Sequence, residues 1–424
     1  MNLNFFNINS TFKKNIFKLF SATLISQITA ILSSFVLAFY FIPDDLGEFS
    51  VVVSLSAILS IFFTLRSEYP IVINSGDSNF STFYSICITL TVFVLFLILG
   101  MSLFLFKEIL FDITLSVYLI TLFIALNISL IKVFHAYLTF KTLFGYLSIS
   151  KVLQVSSIVI LQLVLFKLNI DKPLILGFLI GLSINTIYLT IVFIKTAHFY
   201  KFKNIISCVV LYIIKFKKII GIGSISDIIN SSASNMLPTL ILVSFSKEAA
   251  GYYFFANRVL SLPLQLISAS SASVYFQRAS KYFIEKKFNK LKKLTLKLEA
   301  WNGLIMLVII VLIILFLDDI LHILFQNKWD PSLNYIYILL PFFLIRSLFS
   351  PISNVMEILN RNDLGLYLNI FIILMNLFAI KYGDLNNDII FTIGIISFAG
   401  SLGYLWINFK FLNLINKLSK KQHE

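Results

Sequence analysis

The chain has 424 residues, 58% of them hydrophobic and only 13% charged, with a formal net charge of +14. A soluble globular domain carries about 25% charged residues, so this composition excludes a soluble fold and indicates a polytopic membrane protein. Two distant cysteines, Cys87 and Cys208, four scattered histidines and no phosphate-cradling glycine loop leave no metal spacing, no cofactor motif and no catalytic constellation, so an enzyme is not expected.

The apolar runs are near 20 residues long, which marks helices rather than barrel strands. Lys13, Lys14 and Lys18 precede an apolar run to Ile42. That run is too long for a cleaved signal and is taken as the first span. Twelve spans follow one another: 17–42, 46–65, 82–106, 113–138, 145–167, 173–195, 219–245, 249–275, 295–317, 332–359, 364–381 and 388–412. Their connections are short. The expected fold is therefore all-α and integral to the membrane, with about 12 transmembrane helices in two six-helix bundles around a central cavity. The bundles are 1–200 and 219–424, joined by a basic linker at 201–218.

Charge sets the expected orientation. With the N-terminus inside, cytoplasmic segments hold 26 of the 34 basic residues and external ones hold six. Both termini are then cytoplasmic. A second basic stretch, 276–297, spaces Tyr282, Phe283, Phe288, Leu291 and Leu294 among lysines and suits a helix lying on the inner leaflet, either as a plain positive-inside anchor or as a binder of an anionic head group. The halves look like distant copies. FKTLFGYLSIS at 140–150 matches NRNDLGLYLNI at 360–370, and DDLGEFSVV at 44–52 matches KEAAGYYFF at 247–255. Six spans is an even number, so the repeat runs parallel.

Residues 219–280 carry most of the functional signal. They form two apolar segments joined at Ser246, Lys247 and Glu248, each with an internal proline, Pro238 or Pro263. Of 34 basic residues only five are arginine, yet both cations deep in spans are arginines, Arg258 and Arg346. A cation at mid-membrane costs about 2.5–3.5 kcal/mol on insertion scales. Arginine stays charged when desolvated and grips phosphate with two prongs. The two side chains can line a cationic cavity for a diphosphate, or pair with a carboxylate or helix carbonyls. Asn230, Asn235, Asn257, Gln265, Asn185 and Gln27 can bind sugar hydroxyls or serve as interhelical glue. Arg66 and Glu68 close span two, and being two residues apart they do not face each other on a helix. Each therefore needs another partner, in an inner-gate ion pair or as a simple interface anchor. Asp227 is the acid inside span seven, either an ion site or a partner for a cation such as Lys132.

LGEFS after span one, LRSEYPIVI at 65–73, GFLIGLSIN at 177–185, MLP at 236–238 and AAGYYFFANRVLSLPLQLI at 249–267 resemble the polysaccharide-transporter branch of the flippase superfamily that includes the multidrug-and-toxin exporters and lipid II flippases. The likeness extends over essentially the whole chain and is strongest to bacterial O-antigen flippases. It implies export of an undecaprenyl-diphosphate-linked oligosaccharide from the cytoplasmic to the periplasmic leaflet of the bacterial inner membrane by alternating access. The implied partners are the lipid-linked oligosaccharide, membrane lipids, and an O-antigen polymerase and chain-length regulator, with no nucleic acid. A cation-coupled multidrug exporter of the same fold is the alternative, ahead of a membrane polymerase or ligase.

Overall fold

A computed structural model describes residues 25–30, 32–73, 78–105, 115–197, 205–325, 327–353, 355–359 and 361–420. Every regular element among them is helical. Among the described residues, nine helices are long and apolar enough to cross a membrane. Three more segments complete the expected twelve spans. The apolar helix α1 (Ile25–Tyr40) covers the part of span one that lies within the described residues. Span seven is broken, and span eight is a long helix too polar to count by hydropathy alone.

Contacts divide the chain into two units, with Ser34–Ser50 and Ser232–Glu424 forming the second and the rest the first. The first unit holds the C-terminal part of α2 (Pro43–Thr64), the short α3 (Tyr69–Ile73), α4 (Ser78–Leu105), α5 (Leu115–Phe140), α6 (Phe144–Lys167), α7 (Pro173–Thr196) and α8 (Ile205–Lys215). A π-helical turn, Ile219–Gly223, and most of α9 (Ser224–Asn235) complete it. Lipid tails are as apolar as leucine, so burial alone does not drive helices together here; close packing and interhelical hydrogen bonds do. The α6–α7 pair shows the first device. A Cβ at Gly177 would lie 2.6 Å from the Gln162 backbone, and one at Gly181 would lie 2.7 Å from the Ile158 backbone. Gly181→Leu should therefore wedge α6 from α7 and lower the thermal midpoint in detergent by several degrees, an overpacking cost of about 1–3 kcal/mol. An unchanged midpoint would show that the backbones yield freely. The second device is a polar chain, in which Ser150 Oγ donates to Asn185 Oδ1 at 2.9 Å and contacts His135 Nε2 at 2.9 Å. Asn185, 0% exposed, is glue between helices.

The second unit holds Ser34–Ser50, α10 (Leu237–Ser244), α11 (Lys247–Ile284), α12 (Phe288–Phe325), α13 (Asp330–Phe349), a 3-10 turn at Ser350–Ile352, α14 (Val355–Ile358), α15 (Asn362–Asn386) and α16 (Ile389–Lys420). Hydrogen bonds and close backbone approaches tie Ser34–Ser50 into it. Trp329 Nε1 donates to the Ala38 carbonyl at 2.9 Å, and Arg258 Nε donates to Ser34 Oγ at 2.8 Å. The backbone approaches are reciprocal. A Cβ on Gly47 would collide with the Lys247 carbonyl, and one on Gly251 would collide with the Pro43 carbonyl. The matched sequences thus meet one another, each glycine against the first residue of the other helix.

Span seven breaks between α9 and α10, where Pro238 occupies the first turn of the new helix and cannot donate back into the old one. The expected helix on the leaflet at 276–297 does not form. Instead α11 runs on to Ile284, the chain turns at 285–287, and α12 starts at Phe288. Tyr282, Phe288, Leu291 and Leu294 face a shared core with Phe349, Ile407, Phe411 and Ile415, so protein rather than lipid takes up that apolar face.

Candidate functional site

Two polar centres stand out, one in each unit. In the first unit, Leu65 and Arg66 both adopt left-handed backbone, with φ of 46° and 57°. For non-glycine residues this costs roughly 1–2 kcal/mol each. It turns the chain sharply after α2. Arg66 Nε then lies 3.2 Å from Asp227 Oδ2, Nη1 donates to the Gly223 carbonyl at 3.3 Å, and the guanidinium stacks 4.1 Å over the Tyr69 ring. Arg66 thus holds the π-turn and the start of α9 against the end of α2. Lys132 Nζ donates to Ser60 Oγ at 2.8 Å and lies within electrostatic range of Glu68 and Asp227. All four residues read as a gate or ion pair come together. Their charges balance, two cations against two anions, and Arg66 pairs with Asp227 rather than with Glu68.

The second centre is a cavity of about 50 Å³ among α10, α11, α13, α15 and α16. Arg346 and Asn257 line it with Tyr253, Asn369, Asn376 and Tyr404. The Arg346 guanidinium lies 5.7 Å from the Phe342 ring centroid and 5.8 Å from that of Tyr404, and its buried Nε has no hydrogen-bond partner. Asn376, only 3% exposed, has a buried and unpartnered Nδ2. Both orphaned groups are donors. A buried donor without an acceptor costs about 1–3 kcal/mol, and an anion or a sugar oxygen would satisfy it.

Arg258 does not line this cavity. One residue along α11 from Asn257, it points elsewhere, to Ser34 Oγ and to the Phe254 ring at 5.9 Å. Neither Arg258 nor Arg346 ion-pairs with a carboxylate among the described residues. Asn235 is partly buried, Asn230 and Gln265 are exposed, and none of the three lines the cavity.

Asn369 and Asn376 are the residues that sequence reasoning missed. Their seven-residue spacing puts them on one face of α15, two turns apart, inside an otherwise apolar run, and that pattern was available as a signal. Glu299 was missed too. It is 8% exposed on α12, with one carboxylate oxygen unpartnered, and Asn302 lies one turn further along.

With this geometry in place, comparison with solved structures places the fold. The chain is similar to the lipid II flippase MurJ in an inward closed conformation, with a TM-score of 0.71 and 19% identity over 95% of this chain and 90% of that one. It is similar to an inward-facing multidrug resistance MATE family transporter of the MOP superfamily, at 0.65 and 16% over 93% and 96%. A MOP superfamily transporter from Pyrococcus furiosus gives 0.59 and 16%, covering 96% of both chains. The fold is that of the MATE-type transporters. The MatE family model matches residues 224–380, which run from the start of α9 into α15 and so include the cavity's α10, α11 and α13. No curated protein matches the chain in sequence. The MATE-like frame accounts for the broken span seven and for the polar α11, because irregular and polar stretches at membrane depth persist only where protein or water covers them.

Proposed function

We propose that the chain is a flippase that moves an undecaprenyl-diphosphate-linked oligosaccharide, an O-antigen unit or a relative of one, from the cytoplasmic to the periplasmic leaflet of a bacterial inner membrane. In this reading the halves 1–200 and 219–424, joined by 201–218, alternate access to the lipid's head group, and both termini are cytoplasmic. One observation carries it: the two span arginines, Arg258 and Arg346, have no carboxylate partner among the described residues, and Arg346 faces an asparagine-lined cavity with its own Nε unsatisfied. An uncompensated cation beside amide groups, as Arg346 is, suits a diphosphate joined to sugars. The alternative, a cation-coupled multidrug exporter, draws support from the likeness to a multidrug resistance transporter. A cavity for cationic drugs, however, calls for acids where this one has Arg346. The Pyrococcus furiosus relative is itself described as having a binding pocket of reverse polarity that suggests a different function.

A diphosphate carries about two negative charges, and moving each outward from a negative interior is favourable by about 2.3 kcal/mol per 100 mV. Purified protein in vesicles should therefore expose a lipid-linked oligosaccharide to an impermeant lectin without any ion gradient, and faster under an imposed potential. Transport of a cationic dye alone, strictly dependent on a proton or sodium gradient, would replace this reading with the exporter.

A further inference from the structure

A second and larger cavity, about 700 Å³, opens in the second unit away from Arg258 and Arg346. Lys292 of α12, Arg361 before α15, and Lys410 and Lys417 of α16 line it with Asn413, Asn416, Leu364 and Leu414. The α16 contribution follows from spacing, since 410, 413, 414 and 417 recur at helical intervals and share one face. Below that face Leu291, Ile407, Phe411 and Ile415 are buried in the unit's core, which fixes the three helices at this end.

Four cations around one cavity repel one another, and the described residues supply little to offset them. Arg361 donates from Nε and Nη2 to the Asp363 carboxylate at 2.9 and 3.0 Å. None of the three lysines ion-pairs with a carboxylate among the described residues. Lys292 and Arg361 are half-buried, while Lys410 and Lys417 are exposed. Leu364 and Leu414 add an apolar wall to the charged rim.

From this arrangement we propose that the cavity is a binding site for the phosphate of an anionic lipid head group, separate from the transport cavity. The lysines and Arg361 neutralise the phosphate, Asn413 and Asn416 meet the head group's remaining polar atoms, and the leucine wall receives the first methylenes of the acyl chains. Basic pockets between membrane helices suit such head groups. The occupant clamps α12, the start of α15 and the end of α16 to one another, because each donates a cation to the same phosphate. The proposal stands or falls without reference to what the protein transports.

The test is native mass spectrometry of the full chain in zwitterionic micelles, titrated with phosphatidylglycerol, phosphatidylcholine or inorganic pyrophosphate. Wild type should bind phosphatidylglycerol more tightly than either other probe. Lys292→Gln/Lys410→Gln/Lys417→Gln should weaken that binding about a hundredfold, from about one charge interaction lost at each of three sites. The same three positions changed to arginine should keep it, which separates lost charge from lost folding. Lys281→Gln/Lys286→Gln/Lys290→Gln, on the neighbouring hairpin, should leave it near wild type. Equal binding of phosphatidylcholine, wild-type affinity in the glutamine variant, or loss in the arginine variant would each overturn the site. Pyrophosphate binding more tightly than phosphatidylglycerol would assign the cavity to a soluble anion instead of a lipid.

Discussion

If the chain is the flippase proposed above, Arg258→Ala should abolish export of the lipid-linked oligosaccharide in a complementation assay while the protein stays in the membrane at wild-type abundance. The expectation rests on how little holds this guanidinium. Its Nε is satisfied by Ser34, and the Phe254 ring lies under it, but the two Nη groups make no hydrogen bond among the described residues. That free prong pair is the part of arginine that fits a phosphate. Losing a structural arginine should destabilise the protein by stranding its partner, yet here Arg258 gives up a single hydrogen bond, to the Ser34 hydroxyl. Arg258→Lys retains the charge and loses one prong, so transport should fall about tenfold, the equivalent of one charge-assisted hydrogen bond of about 1.5 kcal/mol. Surface polysaccharide and membrane abundance must be measured together. Normal polysaccharide from a normally abundant alanine variant would remove Arg258 from the mechanism, and a degraded variant would make its role structural.

The second large effect lies in the first unit. Asp227→Ala leaves the Arg66 guanidinium without its carboxylate and Lys132 with Glu68 alone, beside a turn already strained at Leu65 and Arg66. Breaking a fully buried pair costs about 3–5 kcal/mol, and an exposed pair contributes about 0–1 kcal/mol. With side-chain exposures of 21% and 35% this pair lies between the two limits, so a coupling of about 1–2 kcal/mol is expected. The double variant Arg66→Ala/Asp227→Ala should then unfold closer to wild type than the two single losses added together. A double-mutant cycle by thermal unfolding in detergent reads this directly. Strict additivity would mean that the 3.2 Å approach contributes nothing.

The fold was largely legible in the sequence because a bilayer imposes length. Apolar runs of about 20 residues announce their own ends, and the expected spans 145–167 and 173–195 differ by no more than a residue at either end from α6 and α7. Of the two internal prolines, Pro238 stands in the first turn after the break in span seven, whereas Pro263 lies inside the unbroken α11. The leaflet helix failed for a physical reason. An amphipathic pattern among lysines fits a membrane surface and a protein core equally well, and only the tertiary position of Phe349 and Phe411 decides between them. The site was legible in its residue types and not in its pairings. Arg66 meets Asp227 across 161 positions, and no local rule joins them. Asn369 and Asn376 were hidden because asparagine is common in this chain, so only their spacing set them apart.

The crossing of Gly47 and Gly251 has a bearing on ancestry. Each glycine sits four residues past the carbonyl that the other needs, Pro43 in one copy and Lys247 in the other. Residue i of the first copy meets residue j of the second, and j of the first meets i of the second, which is the signature of an isologous two-fold interface. A six-span forerunner that paired with itself would have required only one such glycine, used twice. Were the chain a fusion of two such copies, the two positions would be free to diverge, and the contact would still bind each to the other's backbone. The chain around these glycines has gone from DDLGEFS to EAAGYYF, and the glycine is the one letter that the geometry could not let go.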